Sequence, residues 1–184
     1  MIKTLLGLTV VAAATLSSAQ AAELTGTLKK VKETNSITVG YRESSIPFSC
    51  LDNNGKPIGY AMELCGKVVD AVKTDLKMPD LKVNYAPVTS SNRIPLLENG
   101  TIDLECGSTT NSVARQKQVA FGPTYFVINV TAAVKKDSGI NDFAQLGGKT
   151  IVTTSGTTSV PLLKKYEKTK DMEMNSPTAK RMAL

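Results

Sequence analysis

The chain has 184 residues, 41% hydrophobic and 21% charged, with no low-complexity tract, a composition that excludes an intrinsically disordered protein. Its 22 lysines and arginines against 16 acidic residues give a net charge of +6. The lysines fall singly or in pairs, as at Lys29-Lys30, Lys135-Lys136 and Lys164-Lys165, and aromatics are only 5%, so no nucleic-acid stripe or membrane-binding face is indicated. There is no histidine, and Cys50, Cys65 and Cys106 show no CxxC spacing, so neither a metal nor a cofactor is expected.

Lys3, the apolar run 5–16 and Ala19-Gln20-Ala21 predict a secretory signal peptide over residues 1–21, with the mature chain starting near Ala22 and exported to an oxidising compartment. The apolar run is shorter than the roughly 20 residues a spanning helix needs. Residues 24–34 have helix-forming composition, and 37–40 form a β-prone run ending at Tyr41-Arg42. The turn at 52–57, with Asn54-Gly55, predicts a tight hairpin flanked by Cys50 and Cys65. Those two could meet in an oxidising compartment; equally, each cysteine is a small buried apolar residue.

Over 60–76, Met62, Leu64, Cys65, Val68, Val69 and Val72 recur at helical spacing. Residues 81–85 alternate as a half-buried strand. Ser90, Ser91 or Asn92 then caps a helix through Leu96 and Leu97, with Pro95 in its first turn and Gly100 as its stop. The next strand is 102–105, followed by a short helix capped by Asn111 or Ser112 and carrying Arg115. A long β-prone run spans 125–134. From Asn141 the pattern restarts, with a short helix at 143–146, a strand at 149–153 and a helix at 157–168. Alternating strands and helices predict an α/β fold of parallel units, with a second lobe begun by the restart. Residues 175–184 suggest no element and no role for Arg181.

Three loops share one design, in which a strand ends and a polar segment follows: Gly40-Tyr41-Arg42, ECGSTTNSVAR at 105–115, and TTSGTTS at 153–159. Ligands of open α/β sheets bind outside the carboxyl ends of the strands, where free N–H groups and helix N-termini favour anions. The only arginines are Arg42, Arg93, Arg115 and Arg181, and the first three fall at strand ends and helix starts. A guanidinium grips a carboxylate through two parallel hydrogen bonds, which an ammonium cannot do. Lack of histidine removes Ser/His/Asp and Cys/His chemistry, and neither GxGxxG nor GxxxxGK[ST] is present, so an anion-binding protein is expected rather than an enzyme.

VGYRESSIPFS (39–49), GYAMELCGKVVDAV (59–72), TSSNRIPLLENGTIDLECGSTTNSVARQKQVAF (89–121) and TTSGTTS (153–159) together resemble the periplasmic substrate-binding proteins of ABC transporters for polar amino acids, most closely the glutamate/aspartate-binding members. The resemblance implies a two-lobed clamp of the type II fold, with lobe one over 22–128 and a hinge strand and partial lobe two over 129–184. It implies that Ser108, Thr110 and Arg115 hold the ligand α-carboxylate, with Gly107 permitting close backbone approach. Arg42, Ser90 and Arg93 would receive the side-chain carboxylate, and Ser155 and Thr158 would add hydrogen bonds across the cleft. The partners implied are L-glutamate or L-aspartate and a membrane permease, for a monomeric binding protein.

The family normally runs past residue 184, completes lobe two and supplies an acidic residue for the ligand ammonium, so the resemblance leads one to expect that this chain alone binds weakly or not at all. Its alternatives are a ligand-sensing receptor domain and a dehydratase-like enzyme on the same fold.

Overall fold

The computed structural model describes residues 23–170, 175 and 177–179; the leader and Arg181 lie outside them. Helix α1 (Gly26–Thr34) ends at Asn35, which takes the left-handed conformation that closes a helix and turns the chain into strand β1 (Ser36–Tyr41). Strands β2 (Ser44–Ser45), β3 (Ser49–Leu51) and β4 (Pro57–Ile58) form a small antiparallel sheet around the expected 52–57 turn. Helix α2 (Tyr60–Asp75) crosses to β5 (Lys82–Pro87), and helix α3 (Arg93–Glu98) crosses to β6 (Leu104–Cys106).

The main sheet is parallel, in the order β5-β1-β6. Its central strand is covered on both faces, as parallel sheets require. On one face Ile37 and Val39 join Val31 of α1, Met62 and Val69 of α2, Leu81 and Cys106 in the core. On the other face Gly40 leaves room for Ile102: a Cβ there would stand 2.6 Å from its Cδ1. Ile102 is 1% exposed, and burying such a side chain contributes about 1.5–3 kcal/mol. At the far end of the sheet Asp103 accepts from the Thr38 amide at 2.8 Å and from Lys30 Nζ at 2.8 Å, fixing α1 against β6.

The disulfide joins Cys65 to Cys106, with Cα atoms 6.2 Å apart, and Cys50 is free. This corrects the Cys50–Cys65 pairing and the reading of all three as reduced. Proximity along the chain is not decisive: Cys50 sits on β3 opposite Ser44 and Ile58, whereas α2 packs on β6 and carries Cys65 to its end.

Helix α4 (Val113–Gln116) follows the loop after β6, its amide at Arg115 accepted by the Ser112 cap. A 3-10 turn, Phe143–Leu146, opens on a capping box of Asp142 and Gln145. Strand β7 (Thr153–Thr154) precedes helix α5 (Ser159–Lys170) and pairs in parallel with β8 (Thr178–Ala179).

Two expectations need correcting. Residues 125–134 form no strand, because the segment finds no neighbouring strand among the described residues; Phe126, Val127 and Ile128 are 57%, 84% and 68% exposed. A β-prone sequence gains its stability from pairing and packing, not from propensity alone. The strand foreseen over 149–153 narrows to β7 plus a bridge from Thr150 to Asn175, and the tail supplies the partners.

Candidate functional site

The register of the parallel sheet assembles the site. Tyr41 stands opposite both Pro87 and Cys106, so three strands end at one edge. The next residues are Arg42, the turn leading through Ser90 to Arg93, and the loop from Gly107 to Arg115. Each is fixed locally. The fully buried Ser49 hydroxyl accepts from the Arg42 amide at 2.8 Å and donates to the Arg42 carbonyl at 3.0 Å. Thr89 and Asn92 exchange side-chain hydrogen bonds with each other's amides, at 2.7 and 3.2 Å, setting the turn that delivers Arg93 as the first residue of α3. Pro95 falls in that first turn, where its missing N–H has no helical partner to lose.

Arg93 is the unusual member. It is 3% exposed, and neither its Nε nor its Nη1 has a hydrogen-bond partner. Burial pushes its pKa down to about 10, opposed by the nearby Glu105 carboxyl and reinforced by the positive charges of Arg42 and Arg115. It therefore stays charged at neutral pH, with donors unused, in a place where an unmade hydrogen bond costs about 1–3 kcal/mol or more.

Glu105 lies beneath the same cluster. Burial raises its pKa, against the pull of Arg93, the Thr109 hydroxyl, Arg42 and Arg115. Its Oε1 and the Thr109 hydroxyl are both unpartnered, so the two stand close without completing a hydrogen bond. Gly107 sits in the crevice between neighbours: a Cβ there would come within 2.7 Å of Glu105 Oε1 and 2.8 Å of Arg42 Cγ. Tyr125 donates its hydroxyl to the Gly107 carbonyl, and burial with the Glu105 charge raises the phenol's pKa.

The second loop meets the first through Arg115 and Gly156. Arg115 donates from Nη1 to the Thr110 carbonyl at 3.0 Å and from Nη2 to the Gly156 carbonyl at 2.9 Å. Gly156 has φ +76°, and a Cβ on it would stand 2.5 Å from the Ser90 carbonyl oxygen. Only glycine combines that backbone with that approach.

Of the residues expected in the site, Arg42, Arg93, Gly107 and Arg115 surround Glu105. Ser90 is buried and touches the Gly156 turn. Ser108 is turned to Ser45, hydroxyl to hydroxyl at 2.8 Å. Thr110 contributes its carbonyl to Arg115 rather than its hydroxyl. Ser155 and Thr158 flank the turn into α5, half-buried. Sequence reasoning passed over Glu105, Ser49 and Tyr125. Glu105 was in plain view inside ECGSTTNSVAR, but with one apolar residue before it and Cys106 after it, nothing marked it as buried among arginines.

Residues 37–182 match the bacterial extracellular solute-binding proteins, family 3, and the chain belongs to that family. The match runs to residue 182 and so takes in most of the tail from 175. The chain is 54% identical over 177 residues to an L-glutamate/L-aspartate-binding protein of Pseudomonas aeruginosa, covering 96% of this chain and 59% of that one. It is 51% identical over 154 residues to a glutamate/aspartate import solute-binding protein of Escherichia coli K12, covering 84% of this chain and 51% of that one. The chain thus spans about half to three-fifths of the length of these relatives.

Among solved structures, a cysteine-binding protein from Campylobacter jejuni superposes with a TM-score of 0.73 at 24% identity, over 85% of this chain and 60% of that one. An ancestral amino acid-binding protein, a precursor of cyclohexadienyl dehydratase, superposes with a TM-score of 0.66 at 26% identity, over 84% of this chain and 65% of that one. The fold is that of the type II periplasmic binding proteins, present in part.

Proposed function

We propose that this chain carries the carboxylate-binding half of a solute-binding protein that captures L-glutamate or L-aspartate in the periplasm and delivers it to the permease of an ABC transporter. The observation that carries this reading is Arg93, buried to 3% exposure with two unused donors beside Arg42 and Arg115. A buried guanidinium with unused donors is costly, and a carboxylate is the group that accepts from it in a strong, charge-assisted pair. A ligand with two carboxylates suits a cluster of several arginines, and the 54% and 51% identical relatives bear glutamate/aspartate names.

In this reading Arg42, Ser90 and Arg93 take the side-chain carboxylate. Ser108, Thr110 and Arg115 take the α-carboxylate over Gly107, and Ser155 and Thr158 close from the other side. Residues 22–128 act as lobe one and 129–184 as the hinge and part of lobe two. The protein works as a monomer by binding alone, without covalent chemistry. The Cys65–Cys106 disulfide suits a protein exported to an oxidising compartment.

Thermal melting of the protein with and without millimolar L-glutamate, L-aspartate and L-glutamine tests the reading, since a ligand that binds only the folded state raises its melting temperature. A rise with the two dicarboxylates, larger than with L-glutamine, is expected. Identical melts with all ligands and with none would overturn it.

A further inference from the structure

Tyr125 reaches the loop after β6 through its hydroxyl, which donates to the Gly107 carbonyl. Burial raises the phenol's pKa above its ordinary value of 10.0, so at neutral pH it is a donor and not an anion. The ring is placed by other contacts as well, edge-on to Tyr60 with centroids 5.8 Å apart and tilted on Phe48 at 6.5 Å. Gly107 needs such a tie. It carries no side chain because Glu105 Oε1 and Arg42 Cγ occupy the place of a Cβ, and a residue without a Cβ has the widest backbone freedom of any.

The bond acts on the residue that follows. A peptide unit is planar and trans, and the cis bond among the described residues is the one before Pro47. In a trans unit the C=O and the next N–H point in opposite directions, so drawing the Gly107 carbonyl toward Tyr125 aims the Ser108 N–H away from it. A hydrogen bond accepted at that oxygen also polarises the N–H of the same unit. Ser108 is exposed, and its amide donates to no group among the described residues. The Ser108 hydroxyl is held separately, 2.8 Å from that of Ser45.

We propose that Tyr125 is a positioning residue for the ligand α-carboxylate: by holding the Gly107 carbonyl it presents the Ser108 amide, already oriented, as a donor to that carboxylate. The inference rests on the reading of this sheet edge as a carboxylate receptor and adds to it a residue that acts through the backbone. A donor fixed beforehand loses no freedom when the anion arrives, which is how preorganisation raises affinity.

The test is Tyr125→Phe, which removes the hydroxyl and keeps the ring against Phe48 and Tyr60. In the ligand-free protein, labelled with 13C and 15N, loss of the bond should move the Gly107 carbonyl carbon and the Ser108 amide nitrogen upfield, a readout that needs no ligand. Calorimetric titration should then show the affinities for L-glutamate and L-aspartate reduced by the same factor, about two- to tenfold for one hydrogen bond, because the two ligands share the α-carboxylate and differ beyond it. Adding L-glutamate to wild type should move the Ser108 amide proton downfield, and move it less in the variant.

Unchanged Gly107 and Ser108 resonances overturn the positioning role, and so does wild-type affinity in a variant whose resonances have moved. A loss of affinity that differs between the two ligands also overturns it, since the effect would then fall on the side-chain carboxylate. A lower melting temperature with unchanged affinity makes the bond structural alone and overturns it likewise. If wild type gives neither heat nor a moved Ser108 amide with either dicarboxylate, the receptor reading falls and takes the role with it, while the ligand-free resonances still show whether Tyr125 holds the peptide.

Discussion

Arg93 sets function against stability at a single residue. Its burial without partners at Nε and Nη1 costs the empty protein free energy that a ligand would return. Arg93→Met, similar in length and needing no partners, should raise the unfolding free energy of the empty protein by about 1–3 kcal/mol in urea denaturation. The same change should abolish the L-glutamate-dependent melting shift. Glu105 makes the complementary prediction on the pH axis. Folding lifts its carboxyl above the ordinary value of 4.5, so between that value and the raised one the folded chain holds a proton the unfolded chain has released. Its contribution to stability is fully present below the unfolded value and lost as pH rises through the folded one. Wild type should accordingly lose stability relative to Glu105→Gln across that rise, read as diverging urea midpoints from pH 4 toward neutrality. The arginines were legible in the sequence because they are few and sit at strand ends. Glu105 was not, because burial among charges is a property of the assembled edge and leaves no local mark.

The elements of the first half of the chain follow from local signals. Helices α1 and α2, strands β1 and β5, and the Asn54-Gly55 hairpin form where periodicity, caps and turn residues place them. Local signals ran out where an element depends on a distant partner. The segment 125–134 has the residues of a strand and lacks a strand to pair with among the described residues, while Thr178–Ala179 reads as nothing and becomes a strand because Thr153–Thr154 lies beside it. The disulfide belongs to this scale as well. It spans 41 residues of sequence, ties α2 to the end of β6 and stands immediately before Gly107. Constraining a loop of that size in the unfolded chain is worth about 3–4 kcal/mol in the chain-entropy view. Cys65→Ala with Cys106→Ala should lower the urea-unfolding free energy by roughly that amount, or less where the unfolded chain retains structure.

At the scale of the whole molecule, the sheet edge and the turn before α5 meet, among the described residues, through polar groups. Arg115 reaches the Gly156 carbonyl, and Gly156 packs on Ser90 and Ser91. A polar junction of this kind suits the clamp that the resemblance implies, because domains joined by small polar contacts move relative to one another by default. The fold class and family were legible because long motif stretches such as 89–121 carry both the sheet and the site.

Cys50 gives the disulfide a second consequence, for how the protein is made. A half-buried thiol on the β3 strand is available, during oxidation, to attack or capture either of the other two sulfurs before α2 has docked on β6. Two of the three possible pairings are thus dead ends, and only the one that records a docked α2 leads to the native chain. Oxidative refolding of Cys50→Ser should give a higher yield of monomer than wild type, and equal yields would show that docking outruns thiol capture. The free cysteine makes assembly a race between packing and sulfur chemistry, one an exporting cell can bias with its thiol oxidases and isomerases.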